Sequence, residues 1–233
     1  MPNIYADSTD GYIRYFGIGT AWTVVRDGSS GAVTASGSNM TAAPYSGSLT
    51  FFGSTSSTVT RVFLKFDTSG ISSAPSSATL KIYGHGTGFG VRADVWALKS
   101  NAFTDSGSLQ GSDFDNIVGW STGSSDGSGG GDNESNVTKY SDMYDVSADG
   151  WTITDYNDIA LNSTALSDMA SLDEVQLCII THRDLKDLHS GAGDITYNGL
   201  YFQNNTGTDK DPYIDYTAAV AATDNSVFFG SNF

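Results

Sequence analysis

The chain has 233 residues and a formal net charge of −15, from 11 Lys and Arg against 26 Asp and Glu. That balance weighs against nucleic acid as a partner, because phosphate binding needs clustered Lys and Arg. With 39% hydrophobic residues, including 12 Tyr, 12 Phe and 4 Trp, the length suits one large all-β domain with a two-sheet core. The single cysteine, Cys178, lies in the apolar run Val175 to Ile180, which reads as a buried thiol and excludes an intrachain disulfide framework. The opening MPNIYADSTDGY lacks the basic-then-apolar order of a signal peptide, and no apolar stretch is long enough to span a membrane.

Strand-like runs begin at once. Tyr12 to Phe16, Ala21 to Arg26, Ala32 to Ala35 and Leu49 to Phe52 are separated by Gly and Ser clusters; Asp27-Gly28 fits a tight hairpin turn, while Ser29-Ser-Gly31 after it suggests a longer loop. Thr60 to Gly84 reads as two strands joined by a Ser/Gly/Pro loop. Val62, Leu64 and Phe66 point one way and Arg61, Phe63 and Lys65 the other; Leu80 and Ile82 repeat the pattern opposite Lys81 and Tyr83. Phe89 to Leu98 is a further alternating strand. Ser112 to Val118 has the signature of a short helical turn capped by Ser112.

Ser121 to Asn133 has the composition of a flexible loop rather than of a domain linker, since strand-like material resumes after it. Trp151 to Thr154 and Asn157 to Leu161 follow as strands. Asn162 to Ala170 reads as the main helix, with Asn162 as N-cap and Ala165, Leu166 and Met169 on its buried side. Glu174 to Thr181 reads as a strand buried on both faces. Tyr197 to Gln203 and Tyr213 to Thr217 close the domain. Many short strands and one short helix give a jelly-roll β-sandwich.

No motif carries catalysis. Gly123-Ser-Ser-Asp-Gly127 matches the G-x-S-x-G pattern only in letters, because it sits in a Ser/Gly tract without the strand and helix that strain a nucleophile elbow. His182, Asp184, Asp187 and His189 form the run HRDLKDLH, whose spacing fits no standard metal site and which reads as a solvated loop. Asp113, Asp115, Asp126, Asp132 and Glu134 surround the glycine tract and could supply oxygens to calcium, although the ordered EF-hand spacing is missing. No cofactor is expected beyond that calcium candidate. Trp96 reads as core. Trp120, before the glycine loop, and Trp151, after Asp149-Gly150, are the candidates for stacking on sugar rings.

RVFLKFDTSGI, then SATLKIYG, then VRADVWAL, with Gly199-Leu-Tyr-Phe202 and Asp211-Pro-Tyr-Ile-Asp-Tyr216 at the end, resembles the DNRLRE-like, disaggregatase-related jelly-roll domains over roughly residues 61–217. The hallmark hexapeptide itself is absent, so no function tied to it carries over. More narrowly, Tyr156 to Ala170 and Gly207 to Tyr216 are similar to segments of structural proteins of marine tailed bacteriophages. This second resemblance implies a virion component, assembled in the host cytoplasm, where a lone reduced cysteine is at home.

Past Thr217 a small-residue linker leads to Val227, Phe228, Phe229 and Phe233, an aromatic segment expected to dock on a neighbouring subunit. The chain is thus expected to be all-β: a strand-rich region (1–60) packed on or completing the sandwich, a jelly-roll sandwich (61–217) with one short helix, and an extended C-terminal arm (218–233). The expected function is a non-enzymatic structural protein of a phage virion, first a capsid-associated decoration or minor capsid subunit. Its partners would be other virion proteins and further copies of itself, without nucleic acid or membrane. The alternative is a carbohydrate-binding module, in a tail or fibre component or elsewhere on the particle, that recognises host surface glycans.

Overall fold

The computed structural model describes residues 2–35, 41–42, 45–51, 54–86, 91–122, 131–188, 193, 195–202 and 208–219. In chain order the strands are β1 (Asn3–Tyr5), β2 (Gly11–Ile18), β3 (Ala32–Ala35), β4 (Thr41–Ala42), β5 (Tyr45–Phe51), β6 (Ser54–Asp67), β7 (Ser77–His85) and β8 (Val95–Lys99), then β9 (Tyr156–Ala160), β10 (Glu174–Thr181), β11 (Ile195–Tyr197), β12 (Gly199–Tyr201) and β13 (Tyr213–Thr217). The helices are α1 (Trp22–Arg26), α2 (Val146–Asp149), α3 (Ser163–Ser171) and α4 (His182–Lys186).

The strands form two antiparallel sheets, and the fold is an all-β sandwich. In the first sheet β7 is central, with β9 on one side and β13 and β12 on the other, extended by β1 and β4. In the second, the 14-residue β6 is central, flanked by β2 on one side and by β5 and β10 on the other, with β3, β11 and β8 outside them. From β6 to β10 the chain changes sheet at every connection, which is the winding of a jelly roll. The N-terminal strands join both sheets: β1 pairs with β13, and β2 runs along β6 from Gly11↔Phe63 to Ile18↔Ser56.

Alternation dictates which sheet faces water. Along β7, Ala78, Leu80, Ile82 and Gly84 are buried while Thr79, Lys81, Tyr83 and His85 are not. From Val59 to Phe66, β6 is buried at every position, so the second sheet is covered on both faces. Strand β10 is likewise buried from Leu177 to Thr181, as its unbroken apolar run predicts. Two cores result. Val62, Leu64, Phe66, Leu80, Ile82 and Leu177 pack between the sheets. Phe63, Trp96, Cys178, Ile180, Phe114 and Leu185 pack beyond the second sheet, under α1, α4 and the segment around Phe103 to Trp120. Burial pushes the Cys178 thiol pKa well up, as expected of an unreactive core thiol.

The second core is organised by charge. Arg61, fully buried, donates from Nε and Nη2 to both carboxylate oxygens of Asp184 at 2.8 Å, and to the carbonyls of Phe114 and Arg26 at 2.9 Å. Arg26, also fully buried, reaches the Asp184 and Leu185 carbonyls and the Asp27 carboxylate. The Arg61 guanidinium lies over the rings of Phe114 and Trp120, at 4.2 and 4.0 Å from their centroids.

Several local expectations are corrected here. Ala21 to Arg26 is not a strand: Trp22, Val25 and Arg26 are buried at helical spacing, forming α1, and Asp27 is its C-cap rather than part of a hairpin turn. His182 to Lys186 is not a solvated loop but α4, whose N-cap Thr181 accepts the Asp184 N–H and whose Asp184 is buried. Trp151 to Thr154 forms no strand, and the helical turn expected over 112–118 shrinks to a 3₁₀ turn at Gly111–Asp113 entered at Gln110. The main helix α3 begins as read, with the Asn162 carboxamide oxygen accepting the Thr164 and Ala165 N–H groups and Ala165 and Met169 buried.

Candidate functional site

The outer face of the first sheet is the uncovered side of the sandwich: its side chains are all half-buried or exposed. Strand register decides what stands there. Tyr5 faces Tyr213, Tyr213 faces Lys81, Asp158 also faces Lys81, and Tyr156 faces Tyr83. The result is a continuous row of rings across five strands. Centroids lie 5.4 Å apart for Tyr5 and Tyr213, 5.0 Å for Tyr213 and Tyr156, 5.1 Å for Tyr156 and Tyr83, 5.8 Å for Tyr83 and Tyr201, and 5.0 Å for Tyr201 and His85. Tilted and edge-to-face contacts of this kind fix the rings and leave parts of their faces to solvent. The Lys210 ammonium sits 4.5 Å from the Tyr201 ring centroid and 5.4 Å from that of Tyr83. Lys81 pairs with Asp158, and Tyr156 donates to the Asp211 carbonyl at 3.2 Å. Burial and the neighbouring negative groups raise the Tyr156 and Tyr213 hydroxyls above the usual tyrosine value, so both stay protonated donors near neutrality.

Beside the row, along β9, runs a cleft in two contiguous parts of about 360 and 460 Å³. Asp142, Tyr144, Asp149, Trp151, Tyr156 and Asp158 line it. Its wall is the irregular segment after α2, held by Asn157, whose carboxamide accepts the Thr152 N–H at 2.8 Å and donates to the Thr152 and Ile82 carbonyls. Gly84 allows this approach, since a Cβ there would fall 1.8 Å from the Thr152 carbonyl oxygen. Trp151 is pinned by an Nε1–H bond to the Gly199 carbonyl at 3.2 Å and by edge contact with Tyr144 at 5.9 Å.

The two tryptophans singled out from sequence do not meet. Trp151 lines the β9 cleft, whereas Trp120 is half-buried at the rim of the second core, stacked on Arg61 and Arg26. The acidic residues near the glycine tract separate as well. Asp132 and Glu134 pair with Lys186, and Asp113 accepts the Gln110 N–H. Among the described residues no three His, Cys, Asp or Glu side chains come together as a metal would require. Asp126, His189 and the arm residues Val227, Phe228, Phe229 and Phe233 lie outside the described residues.

Asp211, whose carbonyl accepts the Tyr156 hydroxyl, lies where the chain enters β13. One of its carboxylate oxygens is buried without a hydrogen-bond partner, and burial together with the charge of Asp209 raises its pKa to about 6. The folded protein therefore holds this proton more tightly than the unfolded chain does. Its contribution to stability is full below pH 4 and declines as pH rises through about 6. Urea midpoints of the wild type and Asp211→Asn, compared between pH 4 and 7, are expected to diverge in the variant's favour as pH rises. Parallel curves would contradict the assignment.

No family model and no curated protein matches the chain.

Proposed function

We propose that this chain is a non-enzymatic attachment module of a bacteriophage particle, which recognises surface glycan through the tyrosine face of its open sheet. The observation that carries the glycan reading is the row Tyr5, Tyr213, Tyr156, Tyr83 and Tyr201 on the solvent side. Ring faces held in place at low entropic cost suit the apolar C–H faces of sugars. Lys81, Asp158 and Asp215 beside them offer the hydrogen bonds that orient hydroxyl groups. The β9 cleft, with Trp151 and three carboxylates, continues that surface. This moves the glycan contact from Trp120 to the tyrosines, with Trp151 at their margin.

The virion reading is supported by the resemblance of residues 156–170 and 207–216 to phage structural proteins. It is also supported by Phe16 and Ile18, which stand 52% and 69% exposed at the far end of β2 and offer an apolar strip to a neighbouring subunit. Non-enzymatic action fits the chemistry of the buried ionisable groups, since Asp184 is saturated by Arg61 and Cys178 is held as the thiol.

The test is a glycan array read with the wild type and with Tyr83→Ala/Tyr201→Ala. The expected result is binding that falls at least about tenfold in the variant, on the order of the contribution of two stacked rings. No binding across a broad array overturns the glycan reading. Mass spectrometry of purified virions from the source that encodes the chain tests the other half: absence from the particle overturns it.

A further inference from the structure

A pocket of about 310 Å³, which shares no lining residue with the tyrosine row, opens between the segment leading into β8, helix α4 and strand β11. Its wall gathers Arg92, Arg183 and His182 with Asp94, and its apolar lining includes Val91 and Leu188, which are 69% and 50% exposed. In a chain with 11 basic residues and a net charge of −15, two arginines in one small pocket stand against the general field.

Arg92, Asp94 and His182 each contact a neighbouring residue. Arg92 lies over the Tyr197 ring at 4.9 Å from the centroid, and its Nη1 is buried with no hydrogen-bond partner. A guanidinium N–H without an acceptor in the free protein is a donor that an oxyanion in the pocket takes once the side chain turns toward it. One oxygen of the Asp94 carboxylate accepts the Val146 N–H at 2.9 Å. The His182 Nδ1 accepts the Trp96 indole N–H at 3.0 Å, so the neutral ring carries its proton on Nε2 as a donor. Burial lowers the His182 pKa, which keeps that neutral form.

We propose that this pocket binds an acidic sugar, taking its carboxylate or sulfate on Arg92 and Arg183 and its ring against Val91 and Leu188. The volume exceeds that of a bare inorganic ion and sits at the small end of the range for organic-ligand sites. The two charged groups share one chemistry, an oxyanion on a sugar-sized body, and the site is separate from the tyrosine face.

Calorimetric titration of the full chain with glucuronate, glucose 6-sulfate, glucose and inorganic sulfate tests this. At least one acidic sugar is expected to bind, with glucose and free sulfate weaker by about tenfold or more. Arg92→Gln is expected to lose about tenfold in affinity, with only a small fall in melting temperature from the lost Tyr197 contact. Arg183→Gln gives a second reading should Arg92→Gln fold poorly. Tyr83→Ala/Tyr201→Ala is expected to leave this binding intact, which separates the site from the proposed glycan face. Glucose binding as well as the acidic sugars, free sulfate binding better than either, no binding by either, or unchanged affinity in both arginine variants would each overturn the proposal.

Discussion

Asp184→Ala is expected to lower the unfolding free energy by about 3–5 kcal/mol, because it leaves a buried guanidinium without its counter-charge. The Arg61 side chain is wholly shielded from water, and both of its strongest bonds end on the Asp184 carboxylate at 2.8 Å. Its remaining contacts are backbone carbonyls and the rings of Phe114 and Trp120, none of which carries a negative charge. Arg26 loses an ion-pair partner at 3.7 Å in the same step. The loss should shrink when both partners go: Arg61→Met/Asp184→Leu removes the desolvation cost along with the attraction, so its deficit should be well below that of the single change. Urea denaturation of the three proteins measures this. A double variant as unstable as Asp184→Ala would place the cost in packing rather than in the stranded charge.

Phe63→Ala is expected to cost about 3–5 kcal/mol, matching or exceeding Leu64→Ala on the opposite face of β6 at about 2–5 kcal/mol. In a sandwich of two bare layers, neighbours in one strand differ sharply, since one of them points to solvent. Here Phe63 and Leu64 are both 0% exposed, each belonging to a different core. Equilibrium unfolding of the two variants checks this, and a loss below about 1 kcal/mol for Phe63→Ala would mean that the second core is loosely packed.

The sandwich was legible because its evidence is local. The alternation in β7 and the unbroken apolar run in β10 each report burial within a few residues, and the Asn162 cap marks the start of α3. What misled was the second core. Arg61, Phe63 and Lys65 read only as the face opposite Val62, Leu64 and Phe66, because nothing near them announces that α1, α4 and a distant loop will cover it. Val24 and Val25 gave α1 the look of a strand, although Trp22 and Arg26, one turn apart, carry the helical spacing. The aspartate that neutralises Arg61 sat in a run of polar residues read as solvated. The tyrosine row was hidden for a related reason. Each of its members appeared in a strand of its own, and only register brings Tyr5, Tyr213, Tyr156 and Tyr83 onto one surface. Trp120 and Trp151 drew attention as large rings near loops, whereas the platform is built from smaller rings inside strands.

The Arg61–Asp184 pair also sets a clock. The partners are 123 residues apart, so at about 5–20 residues per second of synthesis roughly 6–25 s separate their arrival. Burying a guanidinium without its counter-charge costs several kcal/mol, so through that interval Arg61 opposes the closing of its side of β6. Phe63 on the same side therefore waits uncovered until α4 emerges, while Val62 and Leu64 on the other side are free to pack as soon as β7 follows. The two halves of the hydrophobic interior thus close in sequence, with one arginine delaying the second.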